Sequence, residues 1–198
     1  QHAALVLAVQ QIEGVVGLSL DYQGVHVLDQ GSGDCFFQLR RDFQELAQRI
    51  GPQRVIWRYD PILFSEITPA SFHQETYAYL AEKLCGCTCH SVISILAVYE
   101  KIQHRMAEMA RQGARLLHPF DPQETWFGDL MRSLVSSADS NHMTISSCAS
   151  EILLQDYGIQ PGKCVDDEYI LATFGLDVTH TKDPGQRKLC GCVLSKDI

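Results

Sequence analysis

The 198 residues carry a formal net charge of -8, with 45% hydrophobic and 20% charged side chains, the composition of one folded domain rather than of a disordered or fibrous chain. A chain of this length buries a core without covalent staples. The acidic balance argues against general affinity for phosphate backbones or anionic lipid, so nucleic acid is not indicated as a partner. No apolar run is long enough to span a bilayer, so no membrane partner is expected. The opening Gln1-His2-Ala3-Ala4-Leu5-Val6-Leu7-Ala8-Val9 has no basic n-region, so no export signal is read and a cytoplasmic location is expected. In a reducing compartment the eight cysteines are free for metal ligation or catalysis rather than committed to disulfides.

In chain order, residues 1–34 are the least legible; Val15–Leu20 and residues 25–28 read as a hairpin around Tyr22-Gln23-Gly24. A short aromatic run at 35–39 reads as a strand. Phe43, Leu46, Ala47 and Ile50 then recur at the spacing of one helical face, and Gly51-Pro52 ends the segment. Strands follow at 54–59, 91–96 and 143–148, alternating with helical patterns on Phe72, Tyr79, Leu80 and Leu84, on Ile102, Met106, Met109, Ala110, Gly113 and Leu117, and on Trp126, Phe127, Leu130, Met131, Leu134 and Val135 after Asp121-Pro122. Asp166 is a good N-cap for a helix to Phe174, where Gly175 can adopt the left-handed conformation that ends it. A last strand is expected at 190–194. The alternation defines an α/β chain of βα repeats with a mainly parallel sheet, as a single domain over 1–198 whose cysteine-bearing part is 143–198.

Cys190 and Cys192, two apart on an extended segment, offer both sulfurs to one face, and Gly191 between them lets the backbone come close. Cys148 ends a predicted strand and Cys164 sits in the turn Pro161-Gly162-Lys163-Cys164. Four thiolates converging from separate loops suit tetrahedral zinc or a four-iron cluster; the alternative is that Cys148 is core, Cys164 loop and the last pair a frayed terminus. A second group, Cys85, Cys87, Cys89 and His90, is denser, but such close neighbours compete for one ion, and Cys85-Gly86-Cys87 also makes a serviceable helix end.

Arg58 and Asp60 lie on one face at the carboxyl end of their strand, where chemistry collects in parallel sheets. They read either as a polar or anionic substrate site or as a buried ion pair. His73 opens the next helix and Glu151 follows Cys148 by three residues, as a cap, a second-layer hydrogen-bond partner or a base. No Gly-rich phosphate loop, Gly-x-Ser-x-Gly elbow or His-Glu-x-x-His is present, which sets aside P-loop, serine-hydrolase and zincin readings.

The string Arg54-Val55-Ile56-Trp57-Arg58-Tyr59-Asp60-Pro61-Ile62, with Phe72-His73, Cys148-Ala149, Tyr157-Gly158-Ile159, Gly162-Lys163-Cys164-Val165-Asp166-Asp167, Phe174-Gly175 and Cys190-Gly191-Cys192-Val193, resembles Domain of Unknown Function 1848 over roughly residues 40–198. Residues 1–34 are poorly matched. Members usually run on into Cys-x-x-x-Cys-x-x-Cys, similar to radical S-adenosylmethionine enzymes, whereas this sequence stops before it. The resemblance implies a partial or permuted TIM-like barrel with an iron–sulfur cluster on Cys148, Cys164, Cys190 and Cys192, a substrate near Arg58, Asp60, His73 and Glu151, and S-adenosylmethionine only if that further cluster exists in the native chain. The competing expectation is a non-enzymatic module of the same fold in which the four cysteines hold zinc structurally.

Overall fold

The computed structural model describes residues 8–12, 15–20, 33–66, 68–96, 111, 120–186 and 188–194. Six strands form one sheet in chain order: β1 (Ala8–Ile12), β2 (Val15–Leu20), β3 (Val55–Ile62), β4 (His90–Ile95), β5 (Thr144–Cys148) and β6 (Gln160–Gly162). β1 and β2 pair antiparallel, and the four pairings from β2 to β6 are parallel. Among the described residues, three helices, α1 (Gly33–Ile50), α2 (Ala70–Leu84) and α3 (Thr125–Ser140), lie between strands, and α4 (Asp167–Phe174) follows β6.

Period-two alternation along the strands decides which residues meet which layer. Val55, Trp57 and Tyr59 of β3, Ile93 and Ile95 of β4 and Ile145 of β5 face α1, α2 and α3 in the large core with Phe43, Tyr77, Leu80, Leu84, Phe127, Leu130, Met131 and Leu134. Trp57 stacks on Tyr77 with ring centroids 4.6 Å apart. The residues of opposite parity, Ile56 of β3, Val92 of β4 and Cys148 of β5, form a second, smaller cluster with Cys190 and Cys192. Burying apolar area on both faces is what a parallel sheet requires.

The second face is covered by the chain from Lys163 onward rather than by another row of strands. Tyr169 of α4 donates its hydroxyl to the Gln53 carbonyl at 2.6 Å, and the Arg54 guanidinium lies 5.0 Å from the Phe174 ring centroid. Asp166 caps α4 by accepting from the Glu168 and Tyr169 amides, and Gly175 ends it at φ 68°, as the sequence predicts. β6 approaches β5 so closely that a Cβ on Gly162 would stand 2.5 Å from Ser146 Oγ and 2.8 Å from its Cβ, so glycine is required there.

Several expectations need correction. Among the described residues the sheet does not close: β1 and β6 are its edges, and the face that would line a TIM-like barrel is occupied by α4 and the chain after it. Residues 35–39 are helical, because the periodicity on Phe43 to Ile50 extends back through them. Residues 190–194 form no sheet strand and make one isolated bridge, Val193 to Lys182. The hairpin is β1–β2, one strand earlier than read, and residues 25–28 and the helix expected at 102–117, Arg111 apart, lie outside the described residues. No described helix is long and apolar enough to cross a membrane.

Candidate metal centre

Cys148 is the last residue of β5, and the tight β5–β6 approach carries the chain directly into the turn that bears Cys164. The segment after α4 then returns Cys190 and Cys192 under the same sheet face. The sulfurs of Cys148, Cys190 and Cys192 lie within 4.8 Å of one another, and Cys164 Sγ lies 2.9 Å from Cys148 Sγ. All but Cys164 are buried, and Cys164 is half-buried. Among the described residues, Cys148, Cys190 and Cys192 are the group of three or more cysteine, histidine and carboxylate ligand atoms found so close together, and Cys164 is outside that group.

Two backbone amides point at one of these sulfurs. The N–H groups of Cys164 and Val165 donate to Cys192 Sγ at 3.0 and 3.5 Å, a pattern that stabilises thiolate over thiol. The shared protons divide accordingly. Hydrogen bonds from Cys148 and Cys164 hold Cys192 far below the usual thiol range. Cys148 is favoured as thiolate by its contact with Cys164, but its contact with Cys192 and burial outweigh that and push it up to about 12. Contacts with Cys148 and Cys192 raise Cys164, and burial raises Cys190.

Arg58 lies on the same face of β3 as Ile56, a member of the cysteine cluster. Its Nη2 donates to Asp60 Oδ2, and its Nε is buried with no hydrogen-bond partner among the described residues. Burial works against the guanidinium charge, but Asp60 and the neighbouring Cys164 and Cys148 more than offset it, so its pKa is raised. The Lys163 ammonium, next in sequence to Cys164, is engaged by Asp167 at 2.6 Å and Glu168 at 3.3 Å.

The sheet separates the remaining sequence candidates. His73, fully buried on the helix side, meets Tyr59 Oη at 2.9 Å through Nδ1 and the Leu63 carbonyl at 3.0 Å through Nε2. Burial lowers its pKa against the opposing pull of that carbonyl, which favours the neutral ring. Arg58 and Asp60 are on the opposite face from Tyr59 by strand parity, so His73 does not share their site. Glu151 is exposed, just after Ala149 at φ 48°.

The residues from Cys85 to His90 diverge. Cys85 is exposed, Cys87 enters the large core, and Gly86 takes φ 78° as the end of α2. His90 lies on the cysteine face, where Nδ1 meets Thr144 Oγ1 at 2.6 Å and Nε2 meets Ser146 Oγ at 3.0 Å. Burial lowers its pKa, with Asp166 opposing. Sequence reasoning did not find the amides of Cys164 and Val165 or the contribution of Ile56 and Val92. The second pair was legible in principle, since both share strand parity with cluster residues.

These features define an open α/β domain whose second sheet face, under α4 and the chain after it, holds the cluster of Cys148, Cys190 and Cys192 with Cys164 beside it. A family model described as Domain of unknown function (DUF1848) matches residues 36–198, and the chain belongs to that family. Comparison with curated proteins and with solved structures yields no match.

Proposed function

We propose that the domain binds one metal ion through Cys148, Cys164, Cys190 and Cys192, that the ion is zinc, and that it pins residues 163–194 to the sheet. The observation that carries this reading is the closeness of the sulfurs. Four thiolates held ~2.3 Å from one ion in tetrahedral geometry stand roughly 3.8 Å apart, within the 4.8 Å that encloses Cys148, Cys190 and Cys192. A four-iron cluster places an inorganic core between its thiolates and needs them spread more widely. Soft thiolates and N–H···S donors suit zinc, and the amides on Cys192 supply such donors.

Packing supports a structural role. The buried aliphatic side chains in the second cluster are Ile56 and Val92, and the other buried members are cysteines. Leu171, Leu176, Leu189 and Leu194 of the covering chain remain exposed. So small an apolar contact is weak anchorage for a segment of this length, whereas a structural zinc contributes folding free energy directly. When bound, the ion would supply cohesion, and its thiolates would come from β5, the turn after β6 and the terminal segment.

The four-iron alternative draws on the family's likeness to radical S-adenosylmethionine enzymes. Elemental analysis of protein purified anaerobically separates the two. The proposal expects colourless protein with one zinc per chain, and chelation that exposes residues 163–194 to protease before the helix-packed face. Brown protein containing iron and acid-labile sulfide would overturn it in favour of the cluster, and metal-free protein would sink both.

A further inference from the structure

Four thiolates around a divalent ion leave two negative charges in excess, and a centre on a buried sheet face needs them compensated. Among the described residues, Arg58 lies on the same face of β3 as Ile56 of the cysteine cluster by strand parity, and a buried N–H of its side chain, Nε, has no partner among them. Lys163, adjacent in sequence, is committed to Asp167 and Glu168. Asp60 takes the Nη2 end of the guanidinium and fixes the plane of the group. Arg58 and Asp60 therefore form a unit with one end anchored and one buried donor without a partner among the described residues.

We infer that Arg58 is the charge-compensating donor of the metal centre, its Nε–H serving the Cys164–Cys148 edge and its orientation held by Asp60. This inference rests on the four-thiolate reading above. It makes Arg58 and Asp60 positioning residues for the metal rather than substrate ligands. Withdrawing the donor leaves more electron density on sulfur, which weakens the compensated dianion and lowers the energy of sulfur-to-metal charge transfer.

The test uses the full chain as wild type and as Arg58→Gln, Arg58→Lys and Asp60→Asn, with zinc affinity measured by chelator competition and absorption recorded after loading with Co2+ alone. Second-layer donors to metal ligands are worth about 10- to 100-fold in affinity. R58Q is expected to lose that much and to shift the sulfur-to-cobalt band to longer wavelength. R58K keeps a charge but lacks a donor at the Nε position, so it shifts the band with a smaller affinity loss, and D60N falls between R58K and wild type. If R58Q is insoluble, R58K decides, because a side chain that merely packs would leave the cobalt band in place. Wild-type affinity and an unmoved band in R58K and R58Q overturn the inference while the metal site stands. A wild type that binds neither ion through sulfur removes the site itself, and the inference with it.

Discussion

The backbone N–H of Cys164 donates to Cys192 Sγ at 3.0 Å across 28 residues of chain. That bond joins the turn after β6 to the terminal segment, and the Val165 amide reinforces it at 3.5 Å. Cys192 is thus both a candidate ligand and the acceptor that closes the second face of the domain.

Cys192→Ser should therefore cost more than one ligand. The oxygen is a poorer ligand for soft metals and a shorter acceptor for amides placed to reach sulfur. The expected outcome is a loss of zinc stoichiometry together with faster hydrogen exchange over α4 and residues 188–194, with a stability loss on the order of several kcal/mol if the ion is structural. Exchange of the buried amides of α3 should change least. Full zinc content with unchanged protection at α4 would contradict this role.

Gly162→Ala tests the approach of β6 to β5. The added methyl would sit 2.5 Å from Ser146 Oγ and 2.8 Å from Ser146 Cβ, and overpacking of that kind costs about 1–3 kcal/mol. For a chain of this size that is a fall of roughly 2–12 °C in Tm. Adding Ser146→Gly should return part of the loss, since it removes both contacted atoms. An unaltered Tm in the single variant would mean that the strands are farther apart.

Asp166→Ala removes the acceptor for the Glu168 and Tyr169 amides at 3.0 and 3.1 Å. A lost cap of this type costs about 0.5–2 kcal/mol, while Asp166→Ser should retain most of the stability. Thermal denaturation of the two variants side by side is the measurement. Equal losses would show that the carboxylate acts through something other than capping.

The chain after α4 is also tied electrostatically. His180 Nδ1 lies 2.6 Å from Asp167 Oδ2, and Lys163 lies 2.6 Å from Asp167 Oδ1. His180 and Lys163 lower Asp167 to about 2, and Asp167 in turn raises His180. The raised histidine contributes stability below its ordinary value of 6.5, lost as pH rises through its folded value. The lowered carboxylate contributes above 3.8, lost as pH falls toward 2. The pair is therefore strongest between those ordinary values. Proton NMR titration should place His180 above 6.5 in the wild type and nearer to it in Asp167→Asn; a titration unaffected by the substitution would contradict the pairing.

Legibility in the sequence followed the length and regularity of each signal. The strands at 54–59, 91–96 and 143–148 and the cap at Asp166 are local patterns, and the structure keeps them with small boundary shifts. The aromatic run at 35–39 looked like a strand only in a short window; the helical period beyond it extends over Gly33–Ile50. Cys190 and Cys192 were read as one face of a strand, yet their sulfurs meet Cys148 from an irregular segment. His73, expected beside Arg58 and Asp60, is instead buried on the other side of the sheet, because the chain at Leu63 folds over it and its carbonyl accepts the Nε2 proton. The Asp167–His180 pair leaves no trace in spacing, since its members are 13 positions apart with a helix end and an irregular stretch between them.

X-ray absorption at the metal edge of the anaerobically purified chain tests the central claim most directly. Four sulfur neighbours at about 2.3 Å around zinc, with no second metal in the next shell, is the result the account predicts. An iron edge with a short iron–iron shell, or nitrogen and oxygen neighbours in place of the four sulfurs, would contradict it.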